Sequence, residues 1–275
     1  MQQEKKPACR PLRCLAKCAG AFLLLAIIAF AGSYLYLSHD LESTLEELDR
    51  DGYATHPRNL APPPVPAEES TTEAYKSALD ALSEIPFPER FWEQPNLALL
   101  PESDRAEFQA WLQENREIID AIESAGDPRK CRFGWKYEEG FAMEMEELSP
   151  VIKAARATCL RAKFSFLTGN QDKARKSLSA AINLYLLFES EPLLVCQLVR
   201  IVVHEMIFNT INQAITVNTS EKELEAWLKF IEGVPPIEGS IELGYRGELA
   251  FFALMLRDPS MFLSHEEMES EFEWR

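Results

Sequence analysis

Histidine is scarce in this sequence, and its spacing argues against a metal site. The four residues are His39, His56, His204 and His265. The pairs His204-Glu205 and His265-Glu266 start like the zinc-binding HExxH motif, but each lacks the second histidine. The glycine patterns of nucleotide-binding loops and the GxSxG motif of serine hydrolases are also missing. The sequence therefore predicts no metal site, no cofactor and no catalytic residue.

Patterns typical of β-strands are almost absent. No Asn-Gly or Asp-Gly pair joins two runs of alternating apolar residues, which would be the strongest short-range hairpin signal. Apolar residues instead recur three and four positions apart over long stretches, as on one face of a helix. The predicted fold class is all-α.

Cysteine is too sparse for a complete disulfide framework. Of the six cysteines, three lie within the first 18 residues and three follow much later, at Cys131, Cys159 and Cys196. Three is an odd number, so at least one of the later thiols has no partner in the chain beyond the N-terminal segment. Cys159 and Cys196 fall in apolar helical patterns, which predicts buried thiols, although a disulfide between two of the three stays open.

Basic residues are outnumbered by acidic ones, 28 to 44, which gives a formal net charge of −16. Residues 38–275 hold 23 basic and 43 acidic residues, a net charge of −20. A surface this acidic repels phosphate backbones, so nucleic acid is not an expected partner.

One long run of residues carries no charge, from Cys18 to Leu37. Its twenty residues match the length that a helix needs to cross a hydrocarbon core of about 30 Å. Basic residues precede the run and acidic residues follow it, which predicts a cytoplasmic N-terminus and an extracytoplasmic main domain. The alternative is a signal peptide cleaved after Ala31, because Ala29-Phe30-Ala31 has the small-x-small form of a cleavage site.

The rest of the chain divides by composition into segments. Residues 1–17 are predicted as a basic cytoplasmic tail and 38–69 as a juxtamembrane helix followed by a proline-rich spacer. Residues 70–258 are predicted as the extracytoplasmic helical domain and 259–275 as an acidic tail. Within the domain, one helix is expected from Ser103 to about Ala125. The apolar helix from Pro192 to Ile215 is expected to be the most buried.

Residues 167–184 resemble the inter-helix turn and second helix of a tetratricopeptide repeat. The matching positions are Gly169, Ala174, Leu178 and Ala181. Small residues there let two antiparallel helices approach closely, so the resemblance implies a helical hairpin. A second copy about thirty-four residues away is not evident.

Three further segments resemble a family of uncharacterised bacterial proteins with one N-terminal anchor and a helical outer domain. They are CRF at 131–133, EPLLVCQLVRI at 191–201 and RGE at 246–248. The resemblance covers about residues 100–257. It implies fold and placement but no activity.

Four charged residues in the apolar helices are candidates for a polar pocket or for structural ion pairs: Arg200, Glu205, Arg246 and Glu248. Buried charges must be paired, and Arg200 with Glu205 is the expected pair. These features favour a membrane-anchored helical scaffold that binds an unidentified protein or peptide, rather than an enzyme. The alternatives are an envelope-acting hydrolase that uses paired carboxylates and a small-ligand sensor with a cavity beside the 192–215 helix.

Overall fold

The computed structural model describes residue 36 and residues 38–92, 99–215 and 220–257. The expected cytoplasmic tail, the acidic tail and, apart from Tyr36, the expected membrane helix lie outside these residues. The chain forms two compact units, Met1–Tyr53 and Ala54–Arg275. In the first unit, residues 38–50 form a helix, α1, and Gly52 follows it with φ of 85°. The expected juxtamembrane helix is therefore present.

The second unit is all-helical over the residues described, which confirms the predicted fold class. Its helices are α2 (Thr72–Ser83), α3 (Glu89–Trp92), α4 (Glu102–Glu114), α5 (Arg116–Ser124), α6 (Leu148–Leu167), α7 (Gln171–Leu186), α8 (Leu194–Ile215), α9 (Glu221–Glu232) and α10 (Ser240–Arg257). Short 3-10 turns cover Pro57–Asn59, Pro128–Lys130 and Tyr137–Ala142.

Helices α6, α7 and α8 pack against one another at the centre, and α10 packs on α8. Within the described ranges, α8 is the one helix long and apolar enough to cross a bilayer, with a mean hydropathy of 1.5 over its most apolar stretch. Length and composition do not distinguish a membrane helix from a core helix. Half of that stretch is buried inside the domain, as expected for a core helix.

The helix expected from Ser103 to Ala125 is in fact two helices, which corrects the sequence interpretation. The break is at Asn115, whose φ and ψ are −100° and 15°. Its side-chain amide donates to the carbonyl oxygen of Trp111 at 2.7 Å. This local bond offers the backbone an alternative to the regular helical ladder. No glycine or proline marks the break in the sequence.

The proline-rich segment belongs to the folded domain, which moves the domain boundary from residue 70 to Ala54. Thr55 and Leu60 are buried, and the guanidinium of Arg132 donates to the carbonyl oxygen of Pro63 at 3.2 Å. Proline removes a backbone donor but leaves its carbonyl free to accept, so an extended proline-rich segment can be held by side chains. The first part of the expected spacer, up to Leu60, therefore packs on the domain, whereas most of residues 61–69 are exposed.

Candidate functional site

Helix α10 lies unusually close to the segment that precedes α8. Ser240, Gly244 and Gly247 are spaced four and three residues apart and form its inner face. A Cβ atom on Gly247 would lie 1.5 Å from the carbonyl oxygen of Pro192, and one on Gly244 would lie 2.8 Å from the Cα of Leu194. The inner face of α10 is therefore in backbone contact with its neighbour, and only residues with little or no side chain fit there.

The outer face of α10 carries large apolar side chains that are exposed. Ile241, Tyr245, Phe252 and Leu256 are 48%, 62%, 50% and 55% exposed. Their spacing of four, seven and four residues places them on one face of the helix. The ring of Phe141, also half exposed, contacts Phe252 edge to face at 5.5 Å between centroids. We call these five residues the α10 stripe.

The area of the α10 stripe is that of the largest apolar patch on a typical monomer. Five apolar side chains of about 150–250 Å² each, half exposed, present on the order of 500 Å² to solvent. The half-buried Glu248 lies on the same face between Tyr245 and Phe252. The largest apolar patch of a soluble protein often marks a binding surface. The stripe is therefore the first candidate for a functional surface.

A buried polar network lies beneath the start of α10, around Arg200 of α8. The Arg200 side chain is almost fully buried. Its Nη1 donates to Gln197 Oε1 at 2.7 Å and to Ser240 Oγ at 2.8 Å, and its Nη2 donates to the hydroxyl of Tyr185 at 2.8 Å. The guanidinium carbon also lies 4.5 Å from the centre of the Tyr185 ring. All these partners are neutral.

The charge of Arg200 is not balanced by a carboxylate among the residues that the structure describes. Its Nε is buried and has no hydrogen-bond partner there. His204, one turn further along α8 and half-buried, has its ring 5.7 Å from that of Tyr185. Burial and the positive charge of Arg200 both lower the pKa of His204, whereas burial raises the pKa of Tyr185. The network therefore carries the positive charge of Arg200 without an ion pair in the described residues, and Glu189 acts on it only at a distance, through Tyr185.

The structure does not bring the four candidate charged residues together. Glu205 is exposed, because five residues along a helix correspond to about 140° of rotation from Arg200. Arg246 is exposed and pairs with Glu242 at 2.8 Å, and Glu248 is half-buried on α10. The expected pairing of Arg200 with Glu205 is therefore wrong.

The three segments that carry the family resemblance meet near Glu191. This residue is buried, and its carboxylate accepts a hydrogen bond from the hydroxyl of Tyr137. Burial raises the pKa of Glu191, while Tyr137 and the charge of Arg132 oppose that effect. The side-chain amide of Gln197 donates to the Glu191 carbonyl and so links this region to Arg200. Gly247 of the third segment touches Pro192, the next residue.

Helices α6 and α7 form the expected hairpin. Gly169 has φ of 76° in the turn, and Ala174, Leu178 and Ala181 are completely buried. The side chain of Asn170 caps α7 by accepting from the backbone N–H of Lys173. Whether the hairpin belongs to a repeat family stays a prediction.

The three later cysteines are buried free thiols, so none of them is in a disulfide. Burial raises the pKa of Cys159 to about 11 and that of Cys131 to about 12. In the described part of the chain, no cluster of three or more histidine, cysteine or acidic side chains could hold a metal ion. Glu147, an acidic residue just before α6, accepts from Trp135 Nε1 and pairs with Lys76. Its position indicates a structural role.

Sequence reasoning missed the α10 stripe and the neutral partners of Arg200. The spacing of Ile241, Tyr245, Phe252 and Leu256 was visible, but the same spacing is typical of a buried face. The opposing Gly244 and Gly247 were the signal that could have separated the two faces. Tyr185, Gln197 and Ser240 carried no such signal, because only the fold brings them together.

Searches of protein-family models, of curated proteins and of solved structures found no match to this chain.

Proposed function

We propose that this protein is a membrane-anchored helical module that binds another protein in the extracytoplasmic space through the α10 stripe. The observation that carries the proposal is the set of large apolar side chains that α10 exposes. A helix that only had to pack on its domain would direct its large apolar residues inward and polar ones outward. Here the first half of the inner face is made of serine and glycine, and Ala250, Phe251 and Ala253 continue it, while isoleucine, tyrosine, phenylalanine and leucine are exposed on the outer face.

The membrane placement rests on the sequence. The uncharged run from Cys18 to Leu37 has the length of a spanning helix, and the charge difference across it favours an N-terminus in the cytoplasm. The resemblance of about residues 100–257 to bacterial single-anchor proteins implies the same placement, and the tetratricopeptide-like hairpin implies a helical scaffold. In that role the domain acts as a scaffold held at the membrane.

The partner is expected to be a different protein, with an apolar surface bordered by basic residues. Two copies of this chain would each bring a net charge of −16 to a shared interface, and like charges disfavour close approach. An acidic module attracts basic partners at long range, and the stripe then contributes buried apolar area. Tyr245, the most exposed residue of the stripe, is expected to be a hot spot because central tyrosines often dominate binding energy.

The test uses the full-length chain in its native membrane, with a photo-crosslinking residue at position 245, 252 or 205. Positions 245 and 252 lie in the stripe, whereas Glu205 is an exposed control on α8. We expect both stripe positions to capture the same protein and position 205 not to capture it. The captured protein is then purified, and its affinity is measured for the wild type and for Tyr245→Ser. A hot spot of about 2 kcal/mol corresponds to roughly a thirtyfold loss.

Three outcomes contradict the proposal. Capture of a second copy of this chain would show that the stripe is a self-association surface. Equal capture from position 205 would show that contact is not specific to the stripe. An unchanged affinity for Tyr245→Ser would exclude the stripe as the binding surface.

The topology is tested separately by protease treatment of intact cells, which should remove the C-terminal domain and spare the N-terminal tail.

A further inference from the structure

We propose that the network of Arg200, Tyr185, Gln197 and Ser240 is a binding site for a small carboxylate-bearing molecule. The site is distinct from the α10 stripe and does not depend on it. The carboxylate would bind at the Nε edge of the Arg200 guanidinium, where the structure leaves a donor without a partner.

The positive charge of the Arg200 guanidinium is not balanced by an ion pair in the described residues. A buried cation is strongly disfavoured unless it is paired, and neutral hydrogen-bond partners compensate for only part of the lost hydration. Arg200 is 4% exposed and has three neutral acceptors, with no carboxylate partner in the described residues. An anion that entered the network would supply the missing charge.

The free donors of Arg200 can bind an anion. A guanidinium has five N–H groups, and the contacts of Arg200 account for three: two from Nη1 and one from Nη2. The two that remain are Nε–H, which is buried without a partner, and one N–H of Nη2. Nε–H can therefore donate to one oxygen of a carboxylate, in a charge-assisted hydrogen bond.

The surroundings of the network favour an anion over a cation. Ser240 lies in the first turn of α10, where the helix dipole adds partial positive charge. Burial and Arg200 lower the pKa of His204, which therefore adds no charge near neutral pH. Glu189 is an acid that acts on Tyr185, and Arg200 acts on the same hydroxyl directly through a hydrogen bond. A cationic ligand would be repelled by Arg200, whereas an anion would be attracted by Arg200 and by the start of α10.

The network lies a short distance below the protein surface. The hydroxyl of Tyr185 donates to the carbonyl oxygen of Pro236 at 2.9 Å, and Pro236 belongs to the loop between α9 and α10. That loop is exposed or half-buried over residues 233–239, and His204 is half-buried. The network therefore lies one layer of residues below the surface, and a shift of the loop would admit a small molecule.

The experiment uses the full-length chain in detergent and titrates sodium acetate against sodium chloride at constant ionic strength. Two signals are followed: the melting temperature and the ring resonances of His204, assigned with His204→Gln. We expect acetate, but not chloride, to raise the melting temperature in a saturable way, because ligand that binds only the folded state stabilises it. We also expect the His204 resonances to shift with the same saturation curve.

Two variants make the test specific. Arg200→Met keeps the length of the side chain without its charge, and we expect its acetate affinity to fall at least tenfold. The substitution leaves the oxygen atoms of Gln197, Ser240 and Tyr185 without this donor, so the folding of the variant is checked by its melting temperature without acetate. Arg246→Met, on the exposed side of α10, is the matched control and should bind acetate like the wild type.

The proposal is overturned if acetate and chloride act alike on the wild-type protein, a result that needs no variant. It is also overturned if Arg200→Met keeps the acetate response. Inorganic phosphate is titrated in parallel, and saturation by phosphate without saturation by acetate would reject the carboxylate assignment.

Discussion

Gly247→Ala is expected to destabilise the domain, because α10 approaches Pro192 closely at this position. An added Cβ would lie 1.5 Å from the carbonyl oxygen of Pro192, whereas ordinary contact begins at 3.4 Å. The carbonyl oxygen of Pro192 belongs to the backbone, and the backbone also fixes the position of a Cβ atom on residue 247. No side-chain rotation can therefore relieve the clash. The helix would have to move by roughly 2 Å, which separates it from the segment before α8.

The expected magnitude follows from two opposing effects. Alanine favours a helix over glycine by about 1 kcal/mol. Overpacking a well-packed interior costs about 1–3 kcal/mol and more when the backbone must move, so we take about 3–4 kcal/mol for this clash. Subtracting the helix preference of alanine leaves a net loss of about 2–3 kcal/mol. For a domain of this size, that loss lowers the melting temperature by roughly 5–10 °C.

The melting temperature of the full-length chain can be followed by tryptophan fluorescence, since the sequence has five tryptophans. Gly244→Ala is an internal comparison, because its Cβ would lie 2.8 Å from the Cα of Leu194 and should have a smaller effect. Glu248→Ala, next to Gly247 in the chain, controls for helix propensity. The reasoning is refuted if Gly247→Ala melts at or above the wild-type temperature, or if Gly244→Ala is the more damaging change.

Three further predictions concern buried polar groups. Glu123→Gln should lower the free energy of unfolding by about 2–4 kcal/mol, because Glu123 and Arg161 form a buried ion pair. The loss should be smaller than for an isolated ion pair, since Asp120 also pairs with Arg161. Chemical denaturation measures it, and a loss under 1 kcal/mol would show that Asp120 alone is sufficient. Because the pKa of Glu191 is raised above its ordinary value of 4.5, its contribution to stability is fully present below that value and is lost as the pH rises through the folded-state pKa. Glu191→Gln should therefore reduce the loss of stability between acid and alkaline pH, and an unchanged pH profile would contradict this reading. In a variant without the three N-terminal cysteines, the remaining thiols should resist a thiol reagent at pH 8 until the protein unfolds, because burial raises their pKa and blocks access. Rapid labelling of the folded protein would disprove the burial of these residues.

Helix positions were predictable where strong local signals marked them. Asn170 and Ser220 cap helices, as asparagine and serine commonly do, and Ser220 with Glu223 forms a complete capping box. The break at Asn115 was not predictable, because it depends on one side-chain bond that competes with a continuous apolar pattern. A helix cap depends on residues that are close together in the sequence. At Asn115, in contrast, packing decides between a continuous helix and a break.

The candidate sites were less predictable because they depend on contacts between distant residues. Arg200 could be singled out as a charge in an apolar helix, but Ser240 is forty residues away. The pairing with Glu205 was expected from proximity in sequence, and the rotation of the helix rules it out. Likewise, the spacing of the α10 stripe gives its periodicity but not which side faces the core.

One hydrogen bond bears on the order in which the parts of the domain fold. Arg257, the last residue of α10, donates to the carbonyl oxygen of Thr55, 202 positions earlier. Closing so long a loop is entropically unfavourable until the intervening helices have packed, so this contact belongs to a late stage of folding. The α10 stripe would then take its final form only after the hairpin of α6 and α7 and the core helix α8 are in place. A chain that has not completed this stage would not hold the stripe in its final position, and under the proposed function it would not bind the partner.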